Sequence, residues 1–311
     1  MKTSALAAWF GCVALGLLSG CSETLDPGSR VVSMRVLAQD TDLPFAAPGE
    51  TVHVSSLAYD PEGRSVNWAW AVCVNPSSSS VDGCVEKLSQ DAQSAGSIPL
   101  LAMGAGVDSV DVTVPDDALS SLPESARESA SLGVLSVACP GTFSLETGAA
   151  GLPFRCADAA SGRQLGLDEF VIGVKRISVR AQDRNQNPLI ASVRFDGAEW
   201  LEGQVLSAQP CDKTGNDFSE CAKSLQHRLA INVSPESFES GRDEFGDFTE
   251  QVVVQYFATE GNFESDFRIA KSPETKWAPR REATDKDVTF WLVARDNRGG
   301  VSWTTRTLRV E

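Results

Sequence analysis

Six cysteines beyond the first 25 residues are the side chains best placed to do chemistry: Cys73, Cys84, Cys139, Cys156, Cys211 and Cys221. As sequence neighbours they form three close pairs whose intervening segments are rich in Ser, Asp and Gly. An even count in an oxidising compartment points to disulfides, and the simplest connectivity joins neighbours: Cys73 with Cys84, Cys139 with Cys156, Cys211 with Cys221. Zinc would need a C-x-x-C pair or nearby histidines, and the chain offers only His53 and His227, both remote from such a pattern. His53 shares a strand face with Thr51 and Ser55, opposite Val52 and Val54, so it points to solvent; His227 opens another strand. Neither is accompanied by a G-x-S-x-G elbow or an H-E-x-x-H helix, and no residue is assigned a catalytic role. Glu199 and Glu202 flank Trp200 as a carboxylate pair, but three positions apart on a strand they face opposite ways, and only a turn would bring them together.

Asp183, Asn185 and Asn187 alternate as D-x-N-x-N, three oxygen-bearing side chains in a short loop. The run resembles the opening of an EF-hand calcium loop, then departs from it, with Pro188 in the glycine position and Arg194 where the bidentate glutamate belongs. Calcium is therefore the one metal candidate, completed by Asp296 or Asp40 if it bridged two modules. The simpler reading is an Asx-rich turn ending in proline, with no cofactor.

The first 20 residues form an export signal. Lys2 gives a positive start, and Ala5 to Leu18 form an apolar run too short to span a bilayer. Leu18-Ser19-Gly20-Cys21 resembles the lipobox of bacterial lipoproteins: a branched apolar residue, two small ones, then cysteine. That resemblance implies cleavage before Cys21 and fatty acylation of its thiol, palmitate being one such chain. Cys12 is the weaker acceptor, because Trp9-Phe10-Gly11 places bulky residues before it. Ser22, rather than aspartate, resembles the pattern of lipoproteins passed to the outer membrane. Residues 21–30 then read as a short polar tether reaching at most about 30 Å.

With 42 acidic against 27 basic residues, the net charge is −15. Such a field repels phosphate backbones, so no nucleic-acid partner is expected. Hydrophobic residues at 42% are enough for folded cores, and the length allows two domains.

Period-two alternation dominates the rest. Strands are expected at 31–38, 51–59, 66–74, 107–114 and 131–138, then at 170–181, 190–196, 204–208, 228–233, 249–259, 287–295 and 301–310. Val66, Trp68, Trp70 and Val72 share one face of the third strand and read as a core stripe. One short helix with proline in its first turn is expected at 123–129. Long irregular loops are expected at 76–106, 140–168 and 209–227, the first carrying Asp82, Glu86 and Lys87 as surface charges. V-x-A-Q-D recurs at Val36 and Val179, which suggests duplicated modules, 31–168 and 169–311.

Asp60-Pro61-Glu62-Gly63 leads into Trp68, and Asp296-Asn297-Arg298-Gly299-Gly300 leads into Trp303, each reading as a hairpin turn. Here the chain resembles the PKD-like and Ig-like sandwich modules of bacterial surface proteins. The resemblance implies a β-sandwich and transfers no functional residue; with the repeat and the cysteine pairs, the expected fold is all-β, two disulfide-stapled sandwich modules. The expected function is that of an extracytoplasmic, lipid-anchored, non-enzymatic binding or scaffolding protein, adhesion-like, with an envelope protein or polysaccharide as partner. An envelope assembly or solute-binding accessory is the second reading, and a secreted hydrolase the third.

Overall fold

The computed structural model describes residues 27–78, 80–95, 100–145, 154–182, 184–212, 215–243 and 246–311. The lipobox and Cys21 lie outside them. The chain is all-β, with two sandwich modules and one α-helix among the described residues.

The first module contains β1 (Arg35–Thr41), β2 (Phe45–Ala46), β3 (Thr51–Tyr59), β4 (Asn67–Val74), β5 (Leu100–Ala105), β6 (Ser109–Thr113), β7 (Ser131–Cys139), β8 (Thr142–Leu145), β9 (Phe154–Ala157) and β10 (Val171–Val179). One sheet has the order β1-β3-β6 and the other β2-β10-β7-β4-β5, while β8 and β9 pair as a separate hairpin. Alternation fixes which side chains meet: Val52 and Val54 from β3 face Trp68 and Trp70 from β4, with Leu132 and Val134 from β7, in one buried cluster. The two indoles stack at 5.5 Å, and Trp70 donates its Nε1–H to the carbonyl of Val107 at 2.7 Å.

The opposite face of β4 and β7 is also buried. Ala69, Ala71, Cys73, Leu135 and Val137 pack with Cys84 and Leu88 of helix α1 (Val81–Ala95). The expected loop at 76–106 is therefore a helix followed by edge strand β5, and Asp82, Glu86 and Lys87 lie on that helix. Ser80 caps it, its Oγ accepting from the Gly83 N–H. The Cys73–Cys84 disulfide pins the helix to the sheet. Beneath it Gly133 is required, since a Cβ there would come within 2.6 Å of the Cys73 sulfur. Cys139–Cys156 ties β7 to the hairpin that replaces part of the expected 140–168 loop, and Cys211–Cys221 closes a loop that carries the 3-10 turn Phe218–Glu220. Loop closures of this size contribute about 3 kcal/mol each. Residues 124–129 are 3-10 rather than α, with Pro123 at the cap.

The second module contains β11 (Ile190–Phe195), β12 (Ala198–Glu199), β13 (Val205–Ala208), β14 (His227–Val233), β15 (Ser240–Asp243), β16 (Gly246–Thr249), β17 (Val252–Ala258), β18 (Asn262–Phe263), β19 (Phe267–Ile269), β20 (Thr275–Ala278), β21 (Asp287–Asp296) and β22 (Val301–Val310). Its sheets are β12-β11-β14-β20-β18 and β13-β22-β21-β17-β19, with β15 and β16 as a protruding hairpin. Trp200, Tyr256, Trp277 and Phe290 are fully buried between them.

Both modules follow one plan. In each, a short strand pairs in parallel with the last strand, β2 with β10 and β13 with β22, and the remaining ladders are antiparallel. The boundary, however, is not at 168/169. β10 pairs along its length with β7, so the first module runs through Val179 and the second begins near Ile190. The V-x-A-Q-D repeats are not equivalent either, since Val36 lies within β1 and Val179 ends β10. Of the two Asp-Gly turns, only the one at Asp296 closes a hairpin; the turn at Asp60 carries the chain from β3 in one sheet to β4 in the other.

Trp70→Ala should lower stability by about 3 to 5 kcal/mol, because it opens a cavity and leaves the Val107 carbonyl without its donor. Urea unfolding followed by circular dichroism checks this as a fall in midpoint at unchanged slope.

Candidate binding surface

The two modules are packed face to face. Leu57 and Tyr59 occupy the side of β3 that points away from its own core, and with Leu37 they meet Trp291 and Phe257 on the outer face of the second module. The Tyr59 and Trp291 rings lie 4.6 Å apart. Ala38, Val293 and Val301 extend the contact.

Charged groups surround this apolar seam. Lys175 on β10 is 7% exposed and donates to the Gly299 carbonyl at 2.7 Å across the junction. Burial pulls its pKa down to about 8, against the opposing pull of Asp40 and Asp296. Arg295 donates to the Leu37 carbonyl at 2.6 Å and to Gln255 at 2.8 Å. The Arg298 guanidinium lies 4.8 Å from the Phe45 ring of the first module and 4.7 Å from Phe248 of the β15–β16 hairpin. It also donates to Glu250 at 2.9 Å and Glu239 at 3.3 Å. Desolvation, with Asp296 nearby, pushes the Glu250 carboxyl up to about 7.

Two of the proposed calcium residues, Asn185 and Asn187, belong to this junction. Asn187 donates to the Thr41 carbonyl at 2.6 Å and accepts from the Val301 N–H at 2.9 Å, so both ends of its amide join the modules. Asn185 donates to Asp296 at 3.1 Å, and its Oδ1 is buried without a partner among the described residues. Asp183 lies outside the described residues. Asp40 accepts from Ser55, and Asp296 also accepts from the backbone N–H of Arg298 and Gly300. Both aspartates act on the buried Lys175 ammonium, each favouring its charged form.

The expected tether is shorter than residues 21–30. Val31 donates to the Ala258 carbonyl and Ala258 donates to the Ser29 carbonyl, both at 2.9 Å, so the incoming chain forms a strap along β17 of the second module. Arg30 is 3% exposed and donates to Asn216 at 2.8 Å.

Glu199 and Glu202 do reach a common place. β12 ends at Glu199, Trp200 turns inward, and the chain reverses through Leu201 to Gly203, so both carboxylates line one groove of about 370 Å³. Trp303, Thr304 and Arg306 of β22 form its other wall. Arg306 donates to the Trp200 carbonyl at 3.0 Å, and desolvation lowers its pKa. The groove had a signal in the sequence, the Trp303 strand after the Asp296 turn, but nothing there linked it to Glu199.

His53 is exposed and paired with Asp111 at 2.7 Å; His227 is paired with Asp196 at 2.8 Å and stacked on Phe195. No hydroxyl hydrogen-bonds either ring among the described residues, so neither forms a nucleophile–base pair there. Apolar side chains are exposed in pairs on two sheet-edge strands, Leu101 with Met103 on β5 and Phe267 with Ile269 on β19. Among the described residues no helix is long and apolar enough to cross a membrane.

No family model matches this sequence, and no curated protein does. Among solved structures, the human desmocollin-1 ectodomain is similar at 12% identity and a TM-score of 0.21, covering 87% of this chain and 34% of that one. Dimeric latent PorU from Porphyromonas gingivalis is similar at 11% identity and a TM-score of 0.21, covering 90% of this chain and 24% of that one. The chain thus spans about a third of the first and a quarter of the second. At these scores neither likeness bears on function.

Glu250 gives the junction a pH dependence. The unfolded chain ionises it near 4.5 and the folded protein near 7, so between those values the folded state holds a proton that the unfolded state has lost. Stability contributed by this group is full below 4.5 and falls as pH rises through 7. Glu250→Gln should flatten the difference in melting temperature between pH 5 and pH 7.5; an unchanged slope shows that Glu250 does not carry it.

Proposed function

We propose that the protein is a lipid-anchored, extracytoplasmic binding protein whose two modules act as one rigid body and catalyse no reaction. The observation that carries this reading is the junction. A seam of aromatic and aliphatic side chains, bridged by Lys175, Arg295, Arg298 and Asn187, fixes one module on the other. A body that presents one unchanging surface suits recognition or scaffolding.

Three disulfides fit an oxidising compartment. With Cys21 acylated and Pro27 already part of the fold, only residues 22–26 separate lipid from body, at most about 20 Å when extended. The body is then held close to its membrane, with Ser22 favouring the outer membrane. The partner is an envelope component met near that surface. The nearest arrangement to catalysis, Glu199 and Glu202 in a shared groove, leaves both residues exposed, unlike the acid held in an apolar pocket that glycoside cleavage uses.

Cys21→Ser tests the anchor. The variant should lose incorporation of a labelled fatty acid and leave the membrane fraction, while its disulfides and circular dichroism are unchanged because residue 21 takes no part in them. Full labelling of the variant rules out Cys21 as the acceptor. Hydrolysis of a peptide, ester or glycan that a single Glu199→Gln change abolishes would rule out the non-enzymatic assignment.

A further inference from the structure

We infer that the groove beside β22 binds an extended, basic polypeptide segment by adding it as a strand to the second module. The hydrogen-bond pattern of β22 supplies the reason. Gly300 accepts from Asp296 at 3.1 Å toward β21, whereas the Val301 N–H turns the other way, to Asn187. In an antiparallel ladder the direction alternates, so Ser302 and Thr304 bond to β21 while Val301, Trp303 and Thr305 direct both backbone groups outward. The Thr305 carbonyl confirms the phase, since it accepts from Arg306 on the outer side at 2.8 Å.

β13 satisfies that outer edge only from Thr307 to Val310. Between Val301 and Thr307, neither the N–H nor the carbonyl of Trp303, nor the N–H of Thr305, has a hydrogen-bond partner among the described residues. This is an open strand edge without the proline, bulge or inward lysine that would block pairing.

The edge is recessed rather than flat. Across from it the Trp200 N–H bonds to the Val193 carbonyl and closes the facing wall, and Leu189 and Leu201 stand exposed at the rim. A visiting strand lies in line with β13, about 4.8 Å from β22, with its alternate side chains directed to the two walls. Glu199, opposite Arg194, and Glu202 meet it with negative charge; the Arg306 guanidinium on the other wall, bonded to Trp200, Thr304 and Thr305, lies within the field of Glu202 and offsets part of it. In a chain of net charge −15, that pairing selects lysine or arginine at alternate positions.

This names the partner class for the binding reading above and rests on it, but its test needs no anchor. Failure of lipidation therefore leaves the groove standing, and failure of peptide binding leaves the anchored body standing. The probe is a capped peptide, Thr-Lys-Val-Lys-Val-Lys-Thr, with a control N-methylated at alternate residues. Amide hydrogen exchange by NMR on the free protein should show Ser302 and Thr304 protected and Trp303 and Thr305 exchanging fast. Added peptide should protect Trp303 and Thr305, and the N-methylated control should not. Glu199→Gln and Glu202→Gln should each weaken binding roughly fivefold, the scale of an exposed ion pair. Thr305→Pro removes an outward donor without touching the β21 ladder and should weaken it at least as much. Unchanged exchange at Trp303 and Thr305 with millimolar peptide, equal binding of the control, or indifference to both Gln substitutions overturns the inference.

Discussion

The contact of Tyr59 and Leu57 with Trp291 determines the shape of everything else. Strand β3 has its own core on one face, and an isolated sandwich would leave the other face to solvent, as it does at His53. Two large apolar groups at the far end of that face cannot be left wet without cost; complete burial of such a side chain contributes about 1.5 to 3 kcal/mol, and the half-buried Leu57 and Tyr59 gain part of it. They are covered by the outer face of β17, β21 and β22 rather than by another part of their own module. Two sandwiches of the same strand plan therefore pack face to face, sheet against sheet. Once that packing is set, the linker has to run between them, and Asn185 and Asn187 find their partners in both.

A seam of this kind brings charges with it, and they find their partners within the junction itself. Asp40 and Asp296 approach from opposite modules, and the buried Lys175 ammonium lies within their field. Arg298 is held between Phe45 and Phe248 while bonded to Glu250 and Glu239. Removing either cation would leave desolvated carboxylates without compensation, which is more costly than never having buried the group. The junction is consequently specific: a sliding motion of one module would strand Lys175, Arg295 and Arg298 together. Specificity of orientation, more than net stability, is what these polar contacts contribute.

Strand positions and disulfide partners were legible in the sequence because both are local. Alternation at 51–59 and 301–310 matches β3 and β22 residue for residue, and each cysteine pairs with its neighbour. Helix α1 was missed: Val81, Cys84, Val85 and Leu88 carry the i, i+3, i+4, i+7 spacing, but the serine run before it and Gly83 within it argue locally for a loop. What stays hidden is non-local. Nothing near residue 171 states that β10 returns to β7, and Val36 and Val179 share a motif by sequence while occupying a strand interior and a strand end. The carboxylate pair failed for a similar reason: a strand period applied to Glu199 and Glu202 misses the turn that begins after Glu199.

The same sheet carries the incoming chain at one edge and the open strand at the other. In the order β13-β22-β21-β17-β19, the strap from Ser29 to Val31 bonds to β17 on the side away from β21, whereas the unpaired groups of Trp303 lie on the far side of β22. Three strands at about 4.8 Å spacing separate the two lines of hydrogen-bonding groups. A lipid joined through the strap would draw the β17 edge toward the bilayer, and the β22 edge would then face away from it. The face-to-face junction keeps that relation constant, because the sheet concerned is the one clamped by the first module. The strap and the recessed edge of β22 are thereby held apart by the middle strands of a single sheet.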